Sequence, residues 1–154
     1  MNDNDVLTVC EIKVSYQPKI KASDRPVMQT SQDLYKLFID KVFDPDTIEL
    51  KEFFKVALLN SACKLLGVHH LSEGGSCQTI VDIKHIMQAA ILANAKDIVL
   101  CHNHPSGSLY PSSEDDLVTR KVQEACNIMG FTLMDHLIIA SEKYYSYADE
   151  GRLL

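Results

Sequence analysis

The apolar positions of this chain switch repeatedly between a period near two and a period near 3.6, the mark of strands alternating with helices. Residues 5–16 alternate loosely through Val6, Thr8, Cys10, Ile12, Val14 and Tyr16 and predict one strand. Pro18 to Pro26 reads as a loop. Thr30 or Ser31 then caps a helix with Leu34, Leu37, Phe38, Ile39 and Val42 on its apolar side, and Asp44-Pro45-Asp46 ends it. Leu50 to Leu59 predicts a strand that becomes apolar on both faces, as a central strand covered on both sides would be. Leu65 to His70 is its expected hairpin partner, joined through Asn60-Ser61-Ala62.

A turn-rich connection, Ser72 to Ser76, leads to a short strand expected around Gln78–Val81. Asp82 caps a second helix, with Ile83, Ile86, Met87, Ala90, Ile91 and Asn94 at helical spacing, that ends by Ala95 or Lys96. Ile98-Val99-Leu100 reads as a buried strand. Ser113 to Met129 forms a third helix, whose stripe is Val118, Val122, Ala125, Cys126 and Met129, with Gly130 as the residue that ends it. Phe131–Ala140 and Tyr144–Ala148 return as strands. This order predicts an α/β domain of three layers, a mixed β-sheet flanked by helices. Residues 1–47 read as an N-terminal extension, a strand plus a helix, packed on a domain over 48–154.

Composition changes the picture in three ways. At 154 residues the chain can bury a substantial core. Its net charge of −6 and the lack of a Lys/Arg cluster argue against direct nucleic-acid binding. The five cysteines form no C-x-x-C pair, which suits a reducing, cytoplasmic setting. The acidic, polar start carries no apolar stretch of a signal peptide, and no apolar run approaches the ~18 residues of a membrane span.

The chemistry gathers between Cys101 and Asp116. His102 and His104, one residue apart at a strand end, point the same way. Asp115, in the first turn of the following helix, can swing back toward them. Two imidazoles and a carboxylate leave a fourth position open, as hydrolytic zinc sites do. Ser112-x-x-Asp115 also reads as a capping box. The two readings are compatible for Ser112 but compete for Asp115. Asp116 is the alternative ligand, about 100° further around the helix. Glu52, a carboxylate near the start of an apolar strand, is the candidate general base, with Glu49 and Glu73 behind it. Asn103 should face away from the metal and brace the turn. His69 and His70 point to opposite faces of a strand and cannot easily serve one ion, and Cys101 reads as core. Asp135-His136, inside an apolar strand, is either a buried couple or a support for the metal site, and support is the favoured reading.

His102-x-His104-Pro105-Ser106-Gly107 followed by Ser112-x-x-Asp115 resembles the JAMM metalloprotease signature and, more narrowly, the bacterial RadC family. Pro111-Ser112, Asp135-His136-Leu137-Ile138-Ile139, Tyr144 to Ala148 and the stretch from Glu52-Phe53-Phe54 to Leu59-Asn60 carry the same resemblance over residues 48–151. It implies a JAMM architecture, which is like that of the cytidine deaminases. It also implies Zn²⁺ held by His102, His104 and Asp115, Glu52 activating water, Ser112 stabilising the oxyanion, and a protein or peptide substrate cleaved at an amide or isopeptide bond. The family usually has Asp where Asn60 stands, and a Pro-Arg-Glu run where this chain has Asp82-Ile83-Lys84-His85. Residues 1–47 are too short and acidic to match the helix-hairpin-helix region of longer RadC proteins. The competing expectation is an accessory binding protein of DNA repair or mobile elements. A nucleobase deaminase is disfavoured, because the His-x-Glu and Pro-Cys-x-x-Cys elements are missing.

Overall fold

A computed structural model of the chain describes residue 13, residues 15–75 and residues 80–153. Three quarters of the expected strand over 5–16 therefore lies outside the described residues, as does half of the one expected at Gln78–Val81. Ile80 to Asp82 are irregular.

Helix α1 spans Ser31–Leu37 and runs on into a π-helical turn, Phe38–Val42. Thr30 is its cap: its side chain accepts from the Asp33 amide, while the Asp33 carboxylate accepts from the Thr30 amide. Among the described residues five strands follow in one sheet: β1 (Phe53–Leu59), β2 (Leu65–Glu73), β3 (Asp97–Asn103), β4 (Thr132–Ile139) and β5 (Tyr144–Ser146). Helix α2 (Ile83–Leu92) precedes β3, and α3 (Ser113–Met129) joins β3 to β4. The strand order is β2-β1-β3-β4-β5, with β3 and β4 parallel and every other pair antiparallel. The mixed α/β sheet agrees with the fold read from the sequence.

The boundaries shift where turns compete with pattern. β1 begins at Phe53 rather than Leu50, because residues 45–50 form turns and leave Leu50 68% exposed. β2 runs on to Glu73, past the expected end at His70. Asn60 closes the β1–β2 hairpin: its side-chain carbonyl accepts from the amides of Ala62 and Lys64. Asp82 caps α2 by accepting from the Lys84 amide.

Alternation along the strands divides the core in two. Ala57, Leu59, Val99, Cys101, Leu137 and Ile139 face α1, packing with Leu34 and Phe38. Phe54, Val56, Leu58, Ile98, Leu100 and Leu133 face α2 and α3, packing with Ile86, Val122 and Cys126.

One irregularity breaks the alternation in β4. Ile98 pairs with Leu133 but Val99 pairs with Asp135, so Met134 is an extra residue, a β-bulge. Beyond it the faces exchange. Asp135 and Leu137 turn toward α1, and His136 turns toward α3.

Candidate metal centre

β3 lies in the middle of the sheet and brings His102 to its C-terminal end on the α3 side, fully buried. The His104 amide still bonds to the Ile139 carbonyl at 3.2 Å, so the chain stays extended for one more step and the two imidazoles share a side. The chain then turns: the Gly107 amide closes onto the His104 carbonyl at 2.9 Å, with Gly107 at φ +79°, a conformation glycine adopts freely. This turn allows α3 to begin beside the strand end.

The first turn of α3 brings Asp115 to the histidines. Its Oδ1 is 3.1 Å from His102 Nε2 and its Oδ2 is 3.4 Å from His104 Nε2. The two Nε2 atoms are 3.0 Å apart. Ligand atoms from all three residues lie within 4.8 Å of one another. Lone pairs this close repel unless a proton or a metal cation lies among them, and two imidazoles with a carboxylate are a donor set suited to a borderline divalent ion. The residues fit a metal.

The expected competition for Asp115 does not arise. Its Oδ2 accepts from both the amide (2.8 Å) and the hydroxyl (2.7 Å) of Ser112, and its own amide donates back to Ser112 Oγ at 3.1 Å. Oδ1 remains turned to His102. A carboxylate has lone pairs enough for both tasks. Burial alone would raise the Asp115 carboxyl, but hydrogen bonds to His102, His104 and Ser112 hold it well below the ordinary carboxylate range. The same bond with Asp115 raises His104 against the opposing effect of burial. Asp116, the alternative ligand, points away and accepts from Tyr147 and Arg152.

Glu52 sits immediately before β1, half-buried, and lines the same cleft of about 510 Å³ as His104, Ser112 and Asp115. Its charge contributes to raising His104. Its position comes from the backbone on either side. The Glu52 carbonyl accepts from the Gly74 amide at 2.9 Å, and buried Asn103 fastens the flanking residues. Asn103 Oδ1 accepts from the Phe53 amide at 2.7 Å, and Nδ2 donates to the carbonyls of Ile48 (2.6 Å) and Lys51 (2.9 Å). Asn103 thus faces away from the histidines as expected, but it braces the approach to β1 rather than its own turn. The other carboxylates considered as bases have partners elsewhere: Ser141 donates to Glu49, and Glu73 pairs with Lys51 at 3.1 Å.

Asp135 and His136 part company at the bulge. Asp135 accepts from the His136 and Ala148 amides and from the Ser146 hydroxyl, which fastens the C-terminal turn on the α1 side. His136 is fully buried, with Nε2 2.8 Å from His102 Nδ1 and Nδ1 2.7 Å from Thr119 Oγ1. Burial, and then the neighbouring His102, push its imidazole well below the ordinary value. Phe54 stacks on His102, with ring centroids 5.6 Å apart and planes 5° from parallel, and Tyr147 stacks on His136 at 4.9 Å. Thr119 escaped the sequence reading. Its signal is helical register: it lies four residues after Asp115, on the same face of α3.

A family model for the RadC-like JAB domain matches residues 28–152. Among curated relatives, a UPF0758 protein of Flavobacterium johnsoniae is 43% identical over 100 residues, covering 65% of this chain and 44% of its own length. One from Porphyromonas gingivalis is 46% identical over 99 residues, with 64% and 44% covered. One from Streptococcus sanguinis is 35% identical over 129 residues, with 83% and 57% covered. The chain spans about half the length of these relatives, and their names assign no activity. Among the described residues no helix is long and apolar enough to cross a membrane. The match over 28–152, with the His-x-His and Ser-x-x-Asp residues meeting at one strand end, makes this chain a member of the RadC-like JAB domain family.

Proposed function

We propose that this domain is a zinc-dependent hydrolase of the JAMM type that cleaves an amide or isopeptide bond in a protein or peptide. The observation that carries the reading is the convergence of His102, His104 and Asp115 at one end of a cleft that Glu52 and Ser112 also line. Bound zinc would supply a Lewis acid that makes water acidic enough to deprotonate near neutral pH. Glu52 would accept that proton and pass it to the leaving amine. The Ser112 hydroxyl, which here donates to Asp115, would turn to the developing oxyanion while the Ser112 amide continues to hold the carboxylate. The described lining of the cleft combines Phe54, Val81, Leu117 and Val118 with Glu52 and Glu114 and includes no Lys or Arg. That surface suits a neutral or cationic chain better than a phosphodiester.

Metal analysis of protein purified without added metal, wild type beside His102→Ala, tests the centre: stoichiometric zinc is expected only in the wild type. Glu52→Gln should keep zinc and lose about 10²–10⁴-fold in turnover of a peptide or isopeptide substrate, whereas His104→Ala should lose both. Wild-type protein without zinc, or a fully active Glu52→Gln, overturns the proposal.

A further inference from the structure

We infer that Thr119 and His136 are positioning residues that decide which nitrogen of His102 is offered to the metal, an inference that rests on the metal-hydrolase reading above. Hydrogens can be counted along three contacts, two buried and one part-buried. Thr119 is 3% exposed and its hydroxyl has a single hydrogen. Thr119 Oγ1 lies 2.6 Å from the backbone carbonyl of Asp115, which can only accept, so the hydrogen is used there. Toward His136 Nδ1, at 2.7 Å, the hydroxyl can then offer only a lone pair, and Nδ1 must carry a hydrogen. Both ring nitrogens of His136 are taken, Nδ1 by Thr119 and Nε2 by His102. With its hydrogen on Nδ1, the neutral ring has its lone pair on Nε2, 2.8 Å from His102 Nδ1. A neutral His102 therefore carries its hydrogen on Nδ1 and keeps Nε2, the atom nearest Asp115 and His104, as the lone pair a metal would take.

His104 reaches the same state by a separate device. Its Nδ1 is 2.8 Å from the Ser108 carbonyl, an acceptor only, so that nitrogen donates and the lone pair of the neutral ring lies on Nε2. The two ligands are preset by different means, one through an exposed loop and one through a buried relay. The relay also ties the ligands together, because Thr119 bonds to the backbone of Asp115. The hydrogen bond made by the second nitrogen sets tautomer and ring orientation in metal-binding histidines, and its loss typically lowers metal affinity about 10–100-fold.

Three proteins test the relay: wild type, Thr119→Val, which keeps the shape and loses the hydroxyl, and Thr119→Ser, which restores the hydroxyl. Two-bond ¹H–¹⁵N spectra of the metal-free proteins, in mildly alkaline buffer, identify the protonated nitrogen of each histidine. Zinc affinity is read separately by competition with a chromophoric chelator. In wild type, His136 and His102 should both carry their hydrogen on Nδ1. Thr119→Val should lose that pattern and bind zinc about 10–100-fold more weakly, and Thr119→Ser should recover both. A wild-type His136 protonated on Nε2 overturns the inference, as does Thr119→Val with wild-type spectra and affinity. Should Thr119→Val fail to fold, the wild-type spectrum still decides. Should wild-type protein bind no zinc, the hydrolase reading falls, and the same spectrum judges the relay independently.

Discussion

Replacing Asn103 with leucine tests whether one buried amide holds the base-bearing segment in place. The side chains are similar in size, so the change removes three hydrogen bonds without opening a large cavity. It strands the Phe53 amide and the carbonyls of Ile48 and Lys51. The Ile48 bond is buried, and the other two are partly buried and within reach of water. A stranded buried carbonyl costs about 2 kcal/mol and each partly wetted group about 1, together about 4. Burying the leucine methyls returns about 1–2 kcal/mol, which leaves a net loss of about 2–3. For a chain of this size that corresponds to a melting point lower by roughly 5–10 °C. Urea unfolding of the metal-free protein measures the loss directly, as a shift in midpoint at unchanged slope. Glu52 lies between the pinned residues Lys51 and Phe53, so turnover should fall further than zinc affinity. Asn103→Asp sharpens the test. It keeps the acceptor for Phe53 but sets a carboxylate against two carbonyls, and at neutral pH it should be less stable than the leucine variant. An Asn103→Leu protein within about 0.5 kcal/mol of wild type, the scatter of an ordinary surface change, would refute the pinning role.

The remaining predictions concern acid stability and the start of α3. His136 is depressed below its ordinary value of 6.5, so the unfolded chain binds the proton more readily than the folded one. Its contribution is therefore complete above the ordinary value and shrinks on acidification, by up to about 1.4 kcal/mol per pH unit. His104, which is raised, acts in the opposite sense: its contribution is present below 6.5 and is lost as the pH rises through its folded value. Urea midpoints of metal-free protein across about pH 5–8 should show an acid limb that becomes shallower in His136→Phe, and an unchanged slope would count against a buried neutral imidazole. Ser112→Ala removes the hydroxyl that caps α3 and should lower stability by about 1 kcal/mol. Thermal melts of the metal-free protein read this effect separately from any change in turnover.

The order of elements was legible in the sequence because each carries its own signal. Apolar runs mark β1 and β3, a 3.6-residue stripe marks α2 and α3, and Thr30, Asp82, Ser112 and Gly130 punctuate the helix ends. The metal candidates were legible for the same local reason. His102 and His104 are two apart on an extended chain, and Asp115 is three residues beyond a capping serine. Glu52 was a weaker reading, since nothing within ten residues of it names a partner. Its place in the cleft depends on Asn103, some fifty positions away, and on the neighbouring hairpin strand.

What the sequence could not decide is the phase of β4. Strict alternation from Leu133 would turn His136 toward α1, away from the site. The bulge at Met134 reverses the two faces and lays the imidazole against His102. A bulge is settled by the pairing of two strands and the packing of both faces at once, and no window of residues records that sum. Thr119 is a similar case, an ordinary helical threonine until β4 presents a ring nitrogen to it. The sequence by itself determined the mixed α/β sheet and a His-His-Asp donor set. The tertiary structure alone decided that Asp115 can cap α3 and face the histidines together, and that a buried chain of hydrogen bonds stands behind His102, because each depends on contacts between residues that no local signal connects.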